Sequence, residues 1–136
     1  MDTLTRLERS KRMSLIRGTD TKPELLVRTI VHKCGYRYRL HLSSLPGKPD
    51  LVFPRFRKAL FVHGCFWHRH PGCSLARLPK SKLDFWIPKL TENRQRDIRN
   101  IAGLRRAGWD VGIIWECETA DPEKIERKIR KFLGRR

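Results

Sequence analysis

The sequence predicts an α/β fold in one domain, with the element order α-β-β-β-α-β-α. Three observations predict it: short apolar runs of strand length, longer stretches at helical spacing with capping residues, and turn-forming Pro and Gly between them. At 136 residues the chain is long enough to bury one core.

The first 19 residues are rich in Arg, Lys, Ser and Thr, which reads as a basic N-terminal arm and leaves residues 20–136 as the folded domain. A helix then starts at a cap, Asp20 or Thr21, with Pro23 in its first turn and Glu24 near its positive end. Leu26, Ile30 and Val31 follow at helical spacing before Gly35. Tyr36–Leu40 alternates ring and charge at period two, as a strand with one buried face does. Leu45-Pro46-Gly47-Lys48-Pro49 supplies a turn into a second strand, Asp50–Phe53. Lys58–His63 is a third, apolar strand.

From Gly64 to Pro79 the composition changes to Cys, His, Gly and Pro, a loop that hydrophobic burial alone cannot hold. A long helix is expected from about Ser81 to Ala107, with Phe85, Leu90, Ile98, Ile101 and Leu104 inward, Pro88 as a kink or a late start, and Gly108 as the stop. Val111–Trp115 is the fourth strand. Asp121 caps a basic helix that runs to Leu133, with Pro122 behind the cap. Trp109 and Trp115, in strand-like surroundings, are expected in the core.

Lys and Arg number 31 against 14 Asp and Glu, a formal charge of +17. Such a surface selects polyanions, and nucleic acid is the usual one, because cations that neutralise phosphates release condensed counterions. Anionic membrane is the rival. The N-terminus lacks the apolar core of a signal peptide and no run is long enough to span a bilayer, so a cytoplasmic protein is expected. In a reducing compartment, clustered Cys and His point to metal more often than to disulfides.

Cys65, His70, Cys73 and Cys117 supply three thiolates and one imidazole, the ligand set of a closed, tetrahedral structural zinc site. Three come from one loop and the fourth from the end of the last strand, so the ion would tie the loop to the sheet. Cys34, alone at a helix end, reads as a core thiol. Asp50 heads a strand and His63 ends the next, so both could face a shared cleft at one sheet edge. Glu24, Asp97 and His68 are further acids and a base available to it. Taken singly, each has a structural explanation: Glu24 complements a helix dipole, Asp50 caps a turn, Asp97 pairs with Arg94 or Arg96, and the histidines are solvated. Charge, aromatics and cysteines would equally suit a zinc-stabilised nucleic-acid binder without catalysis.

Five blocks carry a closer resemblance: L-P-G-K-P-D (Leu45–Asp50), F-V-H-G-C-F-W-H (Phe61–His68), D-F-W (Asp84–Trp86), N-R-Q-R-D (Asn93–Asp97) and G-W-D-V…I-W-E-C (Gly108–Cys117). In this order, from about Arg9 to Cys117, the chain resembles the very short patch repair (Vsr) endonucleases. The resemblance implies a restriction-endonuclease-like fold, a central mixed sheet flanked by helices. It implies a monomer that nicks one strand of double-stranded DNA at T:G mismatches, with Mg²⁺ for catalysis and Zn²⁺ for structure. Asp50 and the backbone carbonyl of Val62, where the family commonly has Thr, would ligate Mg²⁺. His63, His68 and Glu24 would organise water and phosphate, and Asp97 would orient His68. Cys65, His70, Cys73 and Cys117 would hold the zinc. Phe66, Trp67 and Trp86 would wedge into the base stack beside the mismatch, and Met13 of the arm would insert from the opposite groove.

Overall fold

The structure is a computed structural model that describes residues 21–134; the basic arm with Met13, and Asp20, lie outside the described residues. Its principal elements are α1 (Lys22–Lys33), β1 (Arg39–Leu40), β2 (Leu51–Phe53), β3 (Lys58–His63), α2 (Leu83–Arg106), β4 (Asp110–Trp115) and α3 (Pro122–Leu133). This is the expected order. The four strands form one mixed sheet in the order β1-β2-β3-β4. The first three are antiparallel neighbours, and β4 returns parallel to β3 after the crossover through α2.

Local chemistry sets the boundaries. Thr21 caps α1, its hydroxyl accepting from the Glu24 N–H at 3.4 Å, with proline inside the first turn. Gly108, at φ 90°, ends α2: the Trp109 N–H reaches the Leu104 carbonyl at 3.0 Å and the Gly108 N–H reaches that of Arg105 at 3.0 Å. That pair of bonds is a Schellman motif, which a residue without a side chain adopts at least cost. Pro88 lies inside α2, whose helical run starts at Leu83 and continues through it.

The sheet separates two apolar clusters. On one face Val27, Ile30 and Val31 of α1, its capping residue Cys34, and Ile125, Ile129 and Leu133 of α3 pack on Leu51, Phe53, Leu60 and Ile114. On the other face Leu104 and Ile101 of α2 pack on Ala59, Phe61, Val111 and Ile113. The alternation of Ala59, Leu60 and Phe61 between the two clusters is the strand period of two. Gly112 sits on the α3 side, where an added Cβ would lie 3.1 Å from the Phe132 ring and 3.2 Å from Leu60, so α3 approaches β4 over a bare backbone. Among the described residues no helix is long and apolar enough to cross a membrane.

Two expectations need correction. The first strand pairs only at Arg39–Leu40; Tyr36 is buried because its ring meets Phe56 and its hydroxyl donates to the Gly134 carbonyl, not because it belongs to the ladder. On α2, Leu90 and Leu104 are buried, but Phe85 and Ile98 are 55% and 59% exposed. Helical phase explains Ile98: at 100° per residue it stands about 80° round the axis from Leu90 and about 120° from Leu104. Leu104→Ala should therefore cost about 2–5 kcal/mol of stability. Ile98→Ala should stay within about 0.5 kcal/mol of the parent. Urea unfolding measures both, and equal losses would mean that α2 presents a different face to the sheet.

Candidate active site and metal centre

One open cleft of about 1220 Å³ runs along the ends of β2 and β3 and is walled by α1, by the loop after β3 and by α2. Its floor is built from the turn before β2. Gly47 and Lys48 are both left-handed there, at φ 76° and 49°. A Cβ on Gly47 would come 2.9 Å from the Asn100 Cβ, so glycine lets this turn pass beneath α2. The turn delivers Asp50 to the head of β2, where Oδ2 accepts from the Val62 N–H at 2.7 Å. A strand residue presents its N–H and C=O on the same edge, so the Val62 carbonyl also lies on the Asp50 side of β3.

Glu24, from the first turn of α1, reaches the same point and is 2% exposed. Glu24, His41 and Asp50 bring one ligand atom each within 4.8 Å of one another. Burial, and next the adjacent Glu24, push the Asp50 carboxyl up to about 7, although the Val62 N–H opposes this. Burial alone would raise Glu24 too, but hydrogen bonds from His41 and Asp50 and the charges of His41 and Arg28 bring it below its ordinary value. Two carboxylates crowded out of water in this way are the donor set that a hard divalent cation takes up.

Beside them the His63 and His68 rings stack at 3.8 Å and within 5° of parallel. His68 Nδ1 lies 2.6 Å from Asp97 Oδ2 on α2, so Asp97 pairs with the histidine rather than with Arg94 or Arg96. A carboxylate on Nδ1 fixes the imidazole tautomer and leaves Nε2 for chemistry. Burial, with His68 alongside, lowers His63 to about 3, so this ring is neutral at physiological pH. Among the described residues its Nδ1 has no hydrogen-bond partner.

Phe66, Trp67 and Trp86 form a cluster at the cleft wall, with ring centroids 5.1–5.7 Å apart. Trp67 is packed at 9% exposure, whereas Phe66 and Trp86 are half-buried. Phe85 extends the cluster outward against Trp86 at 5.0 Å.

Cys65, His70, Cys73 and Cys117 also converge, their ligand atoms all within 4.8 Å of one another, and could hold a metal ion. His70 Nδ1 is 3.6 Å from Cys65 Sγ and 3.5 Å from Cys117 Sγ. Burial, with Cys73 and Cys117 beside it, pushes the Cys65 thiol up to about 12; a bound cation would reverse this by favouring thiolate. The loop between Cys65 and Cys73 is tied down by the Arg69 guanidinium, which donates to the Ala76 carbonyl at 2.6 Å.

Two residues of this region escaped sequence reasoning. Trp115 is not simply core: its ring stacks on His70 at 4.1 Å and meets His63 edge-on at 5.3 Å, joining the Cys/His group to the histidine pair. His41 stands between Glu24 and Asp50, and no spacing or motif in the sequence marks it.

Comparison with known proteins shows the family. The family described as DNA mismatch endonuclease Vsr matches residues 1–74. The chain is 48% identical over 132 residues to the type II nicking enzyme V.XorIIP of Xanthomonas oryzae, covering 97% of this chain and 96% of that one. It is 40% identical to the type II nicking enzyme V.NmeAIP of Neisseria meningitidis, with 96% of each chain covered. To the DNA mismatch endonuclease Vsr of Escherichia coli it is 40% identical over 117 residues, 86% of this chain and 74% of that one. The chain therefore belongs to the Vsr family, and is a DNA endonuclease, a hydrolase of the phosphodiester backbone.

Proposed function

We propose that this endonuclease nicks one strand of duplex DNA at T:G mismatches by Mg²⁺-dependent hydrolysis, leaving a 5′-phosphate and a 3′-hydroxyl. It does so as a monomer in the cytoplasm, on the DNA of the nucleoid, with the restriction-endonuclease-like fold and a structural zinc ion. The observation that carries the reading is the convergence of Asp50 and Glu24 with the His68–Asp97 pair in one cleft walled by aromatic rings.

The crowded carboxylates fit a hard cation, and Asp50, the Val62 carbonyl and Glu24 are the groups that would hold it. When bound, Mg²⁺ polarises the scissile phosphate and stabilises the charge on the leaving oxygen. The protein's own part is proton handling and orientation. His68, held through Nδ1 by Asp97, takes the proton of the attacking water at Nε2. Neutral His63, stacked beneath it, keeps the His68 ring in plane and adds no competing positive charge. Lys22, Lys48, Lys89 and Arg96 line the same cleft and meet the phosphate backbone, which fits the +17 charge of the chain. Phe66, Trp67 and Trp86 supply the wedge, since a mismatch is the step that costs least to unstack.

For the second ion the spacing supports zinc. Tetrahedral coordination with about 2.3 Å to sulfur and about 2.05 Å to nitrogen sets S and N about 3.6 Å apart. The two distances from His70 Nδ1 to sulfur are 3.6 and 3.5 Å.

Nicking of end-labelled duplexes carrying each mismatch, against matched controls, in Mg²⁺ and in EDTA, tests the function. T:G duplexes should be cut only with Mg²⁺; equal cutting of paired DNA would exclude the mismatch reading. Asp50→Ala should leave no detectable nicking while binding persists, and His68→Ala should slow it by about 10²- to 10⁴-fold. Phe66→Ala and Trp86→Ala should narrow the preference for mismatched over paired duplex, read as the ratio of kcat/KM values. Elemental analysis should find one zinc per chain, lost in Cys117→Ser together with a lowered Tm; a metal-free parent with an unchanged Tm would remove the zinc assignment.

A further inference from the structure

His41 is built into the carboxylate pair in a way that core packing does not require. It directly follows β1, and its backbone lies in the left-handed region at φ 46°, a conformation unfavourable for any residue with a Cβ. The main chain is pinned there, because the His41 N–H donates to the Asp50 carbonyl at 3.2 Å. From this turn the imidazole reaches across to α1, with Nε2 3.0 Å from both carboxylate oxygens of Glu24 and 4.0 Å from Asp50 Oδ1. One side chain thus spans the two acids that come from separate elements.

The second partner of Glu24 pulls differently. Arg28, one helical turn further on, binds the same carboxylate from within α1. At 2% exposure Glu24 has almost no water to orient it, so its direction is set by these neighbours. Arg28 acts along the helix, whereas His41 acts from the Asp50 side.

We propose that His41 is a positioning residue of the nicking site, whose Nε2–H bond to Glu24 keeps that carboxylate turned toward Asp50. This rests on the proposed Mg²⁺-dependent nicking and adds a residue to it. With His41 in place a divalent cation meets two oxygens already gathered. Without it, Arg28, which already binds this carboxylate, alone sets its direction and draws it along α1, away from Asp50. The loss falls on cation affinity, while chemistry at saturating cation and the affinity for duplex stay as they were. A glutamine amide can donate over a similar reach and should restore most of the effect.

The test titrates Mn²⁺ alone, without DNA, into the zinc-loaded chain, with free Mn²⁺ read by electron paramagnetic resonance. The Mg²⁺ dependence of nicking is measured in parallel for the parent, His41→Ala and His41→Gln. His41→Ala should weaken Mn²⁺ binding and raise the half-saturating Mg²⁺ concentration by about 10-fold or more, the range expected when a group supporting a metal ligand is removed. Its kcat at saturating Mg²⁺ and its KM for duplex should match the parent, and His41→Gln should fall close to the parent in every measurement. Should His41→Ala fail to fold, His41→Phe, a ring without a donor, replaces it. An unchanged Mn²⁺ affinity in the donorless variant overturns the proposal. So does an equal loss in the alanine and glutamine variants, a KM effect without a metal effect, or a parent chain that binds no Mn²⁺. If the parent binds Mn²⁺ but nicks no duplex, the functional reading fails and the comparison of Mn²⁺ affinities still decides the role of His41.

Discussion

The parallel register of β3 against β4 is the constraint on which the site depends. It sets His63 opposite Trp115 at the carboxyl ends of both strands. Cys65 and Cys117 each follow two residues later, so the ladder delivers two thiols side by side before the loops begin. The Cys117 N–H donates to Cys65 Sγ at 3.3 Å, and the Cys65 N–H to the Glu116 carboxylate at 3.2 Å. Asp50 depends on the same strand through the Val62 N–H. A one-residue slip of β3 would separate the thiols, turn Val62 away from Asp50 and exchange the two apolar clusters. The apolar residues on both faces of β3 hold the register against that slip, which links the packing of Leu60 and Phe61 directly to the geometry of the acids.

The cleft works against the fold that carries it. The chain is strongly basic and four of its cations line this cleft, yet Glu24 and Asp50 are crowded together in it, where burial raises Asp50 into the neutral range. A carboxylate ionised at neutral pH in that position opposes folding by its desolvation and by repulsion from Glu24. The arrangement persists because the elements around it are over-determined: a capped helix behind Glu24, a glycine-dependent turn before Asp50, and a three-residue strand buried throughout. A cation taking up both oxygens would reverse the sign of the repulsion, which couples metal affinity to the stability of the cleft.

How much of this was legible in the sequence followed from whether a feature is local. Thr21, Pro23 and the apolar spacing of α1 are neighbours in sequence and act as neighbours, so that helix could be read directly. The Cys and His of the loop were legible because residues 64–79 contain too little apolar surface to fold unaided. Phase was not legible on α2: Phe85 and Ile98 are apolar, but which side faces the sheet is set by Leu90 and Leu104 meeting a surface the sequence does not contain. Trp115 looked like a core ring because its stacking partner lies 45 positions away. His41 was invisible for a different reason, since its contacts arise from one left-handed backbone turn that no pattern announces.

The adjacency of the Cys/His group to the histidine pair has a mechanical reason on the proposed reading. Phe66, Trp67 and His68 lie between Cys65 and His70, so the rings that would press into DNA and the base that would activate water share one short loop. A wedge must be stiff, or the loop yields before the base stack does. Hydrophobic burial is the usual source of stiffness, and it holds Trp67, but Phe66 must keep a face free to enter a duplex. Coordination by thiolates and an imidazole would supply rigidity at the root of the loop and leave Phe66 half-buried against the equally half-buried Trp86 of α2. Trp115 closes the arrangement by stacking on a metal-group imidazole with one face and meeting His63 with its edge. A displacement of the loop by DNA would then be felt at the catalytic histidines through one aromatic side chain, without any rearrangement of the sheet.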